Sequence, residues 1–551
     1  MVHGNDYSFS GNRIGDHARI VVGDIHQGRV LLHPSRRQPR LTDSQDKDRV
    51  LADLRATDPR HDKARIEQTK GGLLRDSYRW ILDNADFRRW REDGDSRLLW
   101  VKGDPGKGKT MLLCGIIDEL RPSTKLADNG ANTLLSYFFC QATDSRINSA
   151  TAVLRGLLYM LIDQQPSLIS HIRKKHDRAG KALFDDANAW VALSEIFTDI
   201  LCDPSLNTTY LIVDALDECR ADWSLLLDLI VQNAATPRVN WIVSSRNWPQ
   251  IEEHLYGAGQ ALSLELNEES VSVAVDVYIQ HKVHQLARRK GYDAPTQDAV
   301  RHYLSSNAHG TFLWVALVCQ NLRNVPRWDV RTSLVEFPPG LESLYERMMG
   351  QVCDLKYAEL CKQILALMVT TYRPISLDES TSVVERPDDM PGDLDTLREV
   401  IGLCGSFLTI RNDTVYLVHQ SAKDFLLGHA FSIIFPLGNQ YVHHTIFSRS
   451  LEIMTRTLQC DIYRLCHPGF PIDQVRIPDP DPLAAVRYSC VYWIDHVVES
   501  HAAVEWSGNI QDGGKLDDFL RRKYLYWLES LSLLKATSEG VLSMSKLHHL
   551  L

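Results

Sequence analysis

Short runs of consecutive apolar residues alternate with stretches of helical spacing through the middle of this chain. Leu98–Val101, Leu134–Phe139, Tyr210–Val213, Trp241–Val243 and Leu262–Leu264 read as strands, each apolar and short. Between them, Leu112, Leu113, Ile116, Ile117 and Leu120 recur on one helical face, and Val153, Leu154, Leu157, Leu158 and Leu161 on another. This βα rhythm predicts a central parallel sheet covered on both faces, an α/β fold. After about residue 256 the strand signals fade, and helical patterns such as Val271–Ala287 and Leu341–Ala366 take over. One interruption, Ser406–Ile410 and Val415–Val418 around Arg411-Asn412-Asp413-Thr414, reads as a hairpin. Helices followed by a hairpin predict a winged-helix module after the helical region. No internal repeat at a 20–50 residue period is present, which excludes a propeller or solenoid within these residues.

With 551 residues the chain is too long for one core, and three or four domains are expected. The 44% hydrophobic and 24% charged content is that of a globular protein. A net charge of -9 offers no global attraction to nucleic acid or anionic lipid, so neither is expected as a partner. There is no cationic leader followed by an apolar stretch and no run of about 18 apolar residues, so a direct membrane span is not expected. The 11 cysteines lack a CxxC pair and sit mostly among apolar neighbours, as reduced thiols of a cytoplasmic protein would. Cys460, Cys466 and His467 cluster without a fourth ligand at zinc spacing, and are not read as a metal site.

The chemistry lies in the central block. Gly103-Asp104-Pro105-Gly106-Lys107-Gly108-Lys109-Thr110-Met111 follows one strand and opens a helix, the context in which GxxxxGK[ST] forms a P-loop. Its glycines let backbone N–H groups converge on phosphates, Lys109 adds a positive charge, and the Thr110 hydroxyl can bind magnesium. The competing reading is an ordinary Gly-rich turn. About a hundred residues later, Tyr210-Leu-Ile-Val-Asp214 ends a strand in an acid, expected to hold magnesium. Glu218, with Asp217 beside it, is then placed to polarise an attacking water. The strand at 134–139, lying between them in sequence, implies a sheet with an extra strand between the two phosphate-binding strands, as in NTPases that use a catalytic glutamate. Arg246 ends the strand Trp241-Ile-Val-Ser-Ser245 and is the candidate cation facing a γ-phosphate, unless it simply pairs with a carboxylate. Expected domains are a flexible tail at 1–40, a charged linker and leading helix at 41–95, and the NTPase at 96–255. A helical domain at 256–345, a winged-helix-like domain at 346–430 and a C-terminal helical domain at 431–551 follow.

The set G-D-P-G-K-G-K-T, Y-L-I-V-D-A-L-D-E-C and W-I-V-S-S-R resembles the NACHT branch of STAND signalling ATPases, particularly fungal NOD-like receptors. Ala215 directly after Asp214, followed by Asp217-Glu218, is similar to the NACHT signature. Blocks at Lys70–Trp80, Tyr137–Asn148 and His309–Trp314 match fungal members as well. The resemblance implies a signalling switch of the innate-immunity or heterokaryon-incompatibility type, holding ADP at rest and self-oligomerising when ATP replaces it. Slow hydrolysis would reset it, with ATP/ADP (or GTP) and Mg as cofactors; a nucleotide-binding scaffold without turnover, or a conventional P-loop ATPase, is the alternative. It also implies that a winged-helix histidine reads the bound diphosphate, and His419 in Leu417-Val-His419-Gln-Ser-Ala-Lys-Asp424 is the matching residue. One departure is that Gly310-Thr311-Phe312 lacks the proline that touches adenine in many relatives, which leaves the base preference open.

Asn12-Arg-Ile-Gly-Asp-His-Ala18 to Ile25-His26 resembles the HET-s-type amyloid motif of some fungal receptors. Residues 1–40, with six arginines against three aspartates, are therefore either a disordered basic tail or an amyloid-forming segment. In the second case a downstream effector with a matching amyloid motif is the implied partner. Receptors of this family commonly continue into WD, ankyrin or TPR repeats. Their absence here leads to the expectation of a truncated product, or of sensing by residues 431–551.

Overall fold

The computed structural model describes residues 43–92, 97–384, 393–467, 469–500 and 513–550. Its centre is a five-stranded parallel sheet of β1 (Leu98–Lys102), β2 (Thr133–Phe139), β3 (Thr208–Asp214), β4 (Val239–Ser245) and β5 (Gln260–Ser263). The strand order is β2-β3-β4-β1-β5. An extra strand does separate the Gly-rich-loop strand β1 from the acid-ended strand β3, but it is β4. The strand at 134–139 lies at the sheet edge beyond β3. Register pairs Val101 with Ser244 and Phe139 with Asp214, so the C-terminal strand ends that carry the polar residues lie along one edge.

The strands are buried on both faces, which is why they read as continuous apolar runs. Helix Lys109–Leu120 buries Leu112, Leu113, Ile116, Ile117 and Leu120, and helix Ala150–Gln164 buries nearly its whole length against β2. The stretch expected as a charged linker and leading helix contains helices Asp43–Leu54, Pro59–Thr69 and Ala85–Glu92. Its few apolar residues, including Leu54, Phe87 and Trp90, join the NTPase core, with the Trp90 ring 5.6 Å from Tyr210. Arg155 fixes the first of these helices by donating to the carbonyls of Leu54 at 2.9 Å and Asp53 at 3.0 Å.

Helices Glu268–Lys290, Ala294–Asn307 and Phe312–Leu322 follow the sheet. The apolar pattern over Leu341–Ala366 is divided between two helices, Leu341–Cys353 and Ala358–Thr370, with a turn at Asp354–Tyr357. The second of these, with Leu377–Val383, Leu394–Leu403 and Gln420–Leu427, packs with a small antiparallel sheet. That sheet is β6 (Ile375–Ser376), β8 (Thr414–Leu417) and β7 (Leu408–Arg411), giving a winged-helix arrangement. The hairpin turn falls at Asn412 and Asp413, with φ of 45° and 57°, the left-handed pair of a tight two-residue turn. Helices Asn439–Thr457, Arg487–Ser500, Lys515–Leu533 and Thr537–Leu550 enclose a second core around Met454, Trp493, Phe519 and Trp527. Among the described residues no helix is long and apolar enough to cross a membrane. The N-terminal tail and its amyloid-like motif lie outside the described residues.

Candidate functional site

The Gly-rich loop turns directly from β1 into helix Lys109–Leu120. Gly106 and Gly108 have φ of 81° and 91°, a left-handed backbone that side chains disfavour. Space adds to the constraint. A Cβ on Gly106 would lie 2.9 Å from Thr311 Cγ2, and one on Gly108 2.9 Å from the Phe312 ring. Residues 309–313 therefore lie over the loop, and the Lys107 ammonium donates to the His309 carbonyl at 2.7 Å. Pro105 and Met111 line a cavity beside the loop, while the Asp104 N–H donates to Glu265 Oε1 at 2.7 Å. The Lys109 ammonium folds back onto the loop, donating to the carbonyls of Gly103 at 2.5 Å and Asp104 at 3.0 Å. Burial pulls its pKa down, while Asp217 and Asp214 oppose the fall.

Asp214 is 2% exposed at the end of β3. Ser244 Oγ donates to its Oδ1 at 2.6 Å, and burial raises its pKa against this bond and one from Thr110. A buried carboxylate whose neighbours include two hydroxyls, one of them on the P-loop, is a donor set that suits a hard divalent cation. Ala215 takes φ of 56°, turning the chain so that Leu216–Glu218 forms a short 3-10 turn at the strand edge. Glu218 Oε2 accepts the Ala142 N–H at 3.0 Å. Burial, with Asp217 nearby, pushes the Glu218 pKa up to about 7, within reach of a general base at neutral pH. Asp217 is committed elsewhere: it accepts from the Arg246 backbone at 3.0 Å and pairs with Arg246 Nε at 3.0 Å.

Arg246 faces two carboxylates. Its Nη1 lies 2.7 Å from Asp424 Oδ2 on helix Gln420–Leu427, so one guanidinium joins the sheet edge to the winged helix. The carboxylate pairing that competed with a phosphate-facing role is thus present. His419 precedes the same helix and is its N-cap: Nδ1 accepts the Ser421 N–H at 3.1 Å and lies 2.8 Å from Ser421 Oγ. Burial, together with Lys70, Arg246 and Lys109, holds the imidazole well below its usual pKa. With Nδ1 accepting, the proton of the neutral ring sits on Nε2.

The loop from Pro105 to Thr110, Asp214, Asp217, Glu218, Arg246 and His419 border one cavity of about 450 Å³. Seven cationic side chains line it against three carboxylates, which favours a compact polyanion. Sequence reasoning misses four of the seven, Lys70, Lys282, Arg323 and Arg411. Lys70 falls in a block that matches fungal receptors without a role of its own, and the other three come from distant helices and the hairpin. Nothing in their local spacing marks them.

Residues 76–246 match the family model of the nephrocystin 3 N-terminal region, and residues 345–436 that of the winged-helix domain of GPI inositol-deacylase. The chain is also 56% identical over 523 residues to the vegetative incompatibility protein HET-E-1 of Podospora anserina. Through these matches the chain is similar to the NACHT-type P-loop NTPases. The match covers 92% of this chain and 38% of the relative, so the chain spans well under half of that protein's length. Among solved structures, the Walker-type ATPase PABY2304 of Pyrococcus abyssi is 12% identical with a TM-score of 0.30, covering 64% of this chain and 96% of that one. The Aeropyrum pernix ORC2 protein is 12% identical with a TM-score of 0.30, covering 64% and 93%. Likenesses at that level carry no functional argument. The P-loop NTPase fold of this chain implies nucleotide binding, typically with Mg.

Proposed function

We propose that this chain is a nucleotide-gated signalling switch whose closed form holds a nucleoside diphosphate between its NTPase sheet and its winged helix. The observation that carries this reading is the shared cavity. His419 and the P-loop border the same space, and Arg246, which also borders it, pairs with Asp424 of the winged helix. A ligand there contacts both modules, so its phosphates bias their separation. The loop from Gly103 to Thr110 cradles the phosphates. Thr110 and Asp214 would hold the magnesium ion, which when bound neutralises phosphate charge. Glu218 polarises water, and Asp217 serves it indirectly by orienting Arg246. His419 donates from Nε2 toward the diphosphate. ATP is the reading for the triphosphate, with GTP compatible with the same cradle.

Exchange for triphosphate opens the pair, the open form self-oligomerises, and slow hydrolysis resets it. The 56% identity with a vegetative incompatibility protein supports a role in fungal incompatibility signalling, for which the cytoplasm is the compartment we propose. On this reading the tail at 1–40 templates an effector with a matching motif. The decisive measurement is the nucleotide extracted from purified chain, combined with light-scattering mass before and after exchange to a slowly hydrolysed triphosphate. Near-stoichiometric diphosphate and a mass increase on exchange are expected. Rapid steady-state turnover at constant mass would overturn the switch in favour of a conventional ATPase.

A further inference from the structure

Glu218 is tied to a loop whose far side is held by the C-terminal half of the chain. Residues 140–148 leave the end of β2, and Ala142 gives its N–H to Glu218 Oε2 at 3.0 Å. The loop is stiffened internally. Asp144 N–H donates to the Gln141 carbonyl at 3.0 Å, Ile147 N–H to the Asp144 carbonyl at 3.1 Å, and Arg146 pairs with the buried Asp144 at 2.6 Å. Its base returns to the chain two residues beyond Glu218, because Arg220 N–H donates to the Asn148 carbonyl at 2.7 Å. A displacement at one side of so short and braced a loop is passed to the other.

Ser145 is the outward contact. Its N–H donates to the Tyr372 carbonyl at 2.9 Å, and its hydroxyl lies 3.1 Å from the Tyr492 hydroxyl. Tyr372 precedes β6 of the winged helix, and Tyr492 belongs to helix Arg487–Ser500. Their rings stack at 5.6 Å and 24°. The stack is anchored: Arg373 lies over both Tyr488 and Tyr492, and Tyr488 Oη is 2.7 Å from His496 Nε2. His496 in turn is 2.9 Å from His443 on helix Asn439–Thr457. The Tyr492 hydroxyl is thereby presented to the NTPase by a buried aromatic block that spans two helices.

We propose that Ser145 and Tyr492 are positioning residues for Glu218, so that seating of the C-terminal helices on loop 140–148 sets the orientation of the carboxylate that polarises water. This rests on the role given to Glu218 above. The coupling acts on the hydrolytic step and leaves the phosphate cradle alone, because none of these contacts reaches residues 103–110. A force applied to the C-terminal helices is read out as a change in how long the triphosphate state lasts.

The full chain carrying Tyr492→Phe, Ser145→Ala, Ser145→Thr, the Phe/Ala double change or Glu218→Gln tests this. Single-turnover conversion of pre-bound triphosphate is compared with nucleotide occupancy and release, and amide hydrogen exchange is followed by mass spectrometry. Tyr492→Phe and Ser145→Ala should each slow conversion about three- to tenfold, the loss expected for one hydrogen bond. The double change should be no worse than either, Ser145→Thr should recover most of the rate, and occupancy should stay constant. Amides of residues 142–147 should exchange faster in Tyr492→Phe while those of 103–110 do not change. Unaltered conversion and exchange in Tyr492→Phe, with Glu218→Gln inactive, would end the coupling and keep the role of Glu218. Full conversion by Glu218→Gln, or no conversion by the unaltered chain, would remove that role itself. A parallel loss of occupancy and rate would reduce both positioning residues to general stability and overturn the proposal.

Discussion

Replacing Asp424 by alanine isolates the contact that joins the two modules around the nucleotide. Arg246 is the right side chain to weigh because it holds both ends, at 3.0 Å to Asp217 and 2.7 Å to Asp424. Asp217 is 3% exposed and Asp424 43% exposed, so the two bonds differ in worth. Removing a buried partner would strand a charge and cost roughly 3–5 kcal/mol. Asp424 is half in solvent and also accepts from Gln420 at 2.8 Å, so its pair with Arg246 is discounted to about 1 kcal/mol. Arg246 keeps Asp217 after the change, and no orphaned charge adds to the loss. A change of about 1 kcal/mol lowers the closed-to-open ratio about fivefold and raises the open fraction by the same factor. Release of a fluorescent diphosphate, chased with unlabelled nucleotide in a stopped-flow instrument, should accelerate by that factor. High salt should accelerate the unaltered chain toward the same rate and affect Asp424→Ala less, since screening and deletion remove the same attraction. A release rate within experimental error of the unaltered chain, at both low and high salt, would refute the idea that this pair holds the closed state.

Gly108→Ala should abolish co-purification of nucleotide while leaving the far-ultraviolet circular dichroism intact. The φ of 91° costs an alanine about 1–2 kcal/mol, and its Cβ meets Phe312; normal occupancy would show that the loop can relax. Glu218→Gln should raise the Tm of nucleotide-free protein at pH 8 and leave it near that of the unaltered chain at pH 4. The folded pKa of about 7 lies above the ordinary 4.5, so the stability contributed by the protonated acid is complete below 4.5 and is lost as pH rises through 7. The ceiling is roughly 3 kcal/mol, and equal shifts at both pH values would sink the argument. His419→Asn should keep the Tm, because asparagine caps a helix well, yet release diphosphate faster. An unchanged release rate would leave His419 as a helix cap alone.

Local chemistry makes much of the fold and site legible in the sequence. The P-loop is a contiguous motif whose strand and helix are its immediate neighbours, and the hairpin around Asn412-Asp413 is set by the turn residues themselves. Strand identity follows from apolar runs for the same reason. What the chain does over distance is not written in such patterns. Strand order places β4 between β1 and β3 and sends β2 to the edge, since order depends on where crossover helices pack. The two-residue β6 is too short to give a period, and the turn at Asp354–Tyr357 sits inside an apolar pattern that runs on past it. Residues 41–70 read as a solvated linker or helix because their charges are dense, yet a few apolar side chains such as Leu54 suffice to draw their helices into the core.

The sequence alone therefore determined the Gly-rich loop between β1 and its helix, the acidic strand end and the winged-helix hairpin, because each is dictated by neighbours within a few residues. Only the tertiary structure decided that Arg246 bridges Asp217 and Asp424, and that Lys70 and Arg411 share a cavity with His419. It likewise decided that Ala142 holds Glu218. Apart from Arg411 and His419, those relations join residues from about 30 to more than 300 positions apart, and only the packing of one element against another brings such groups together.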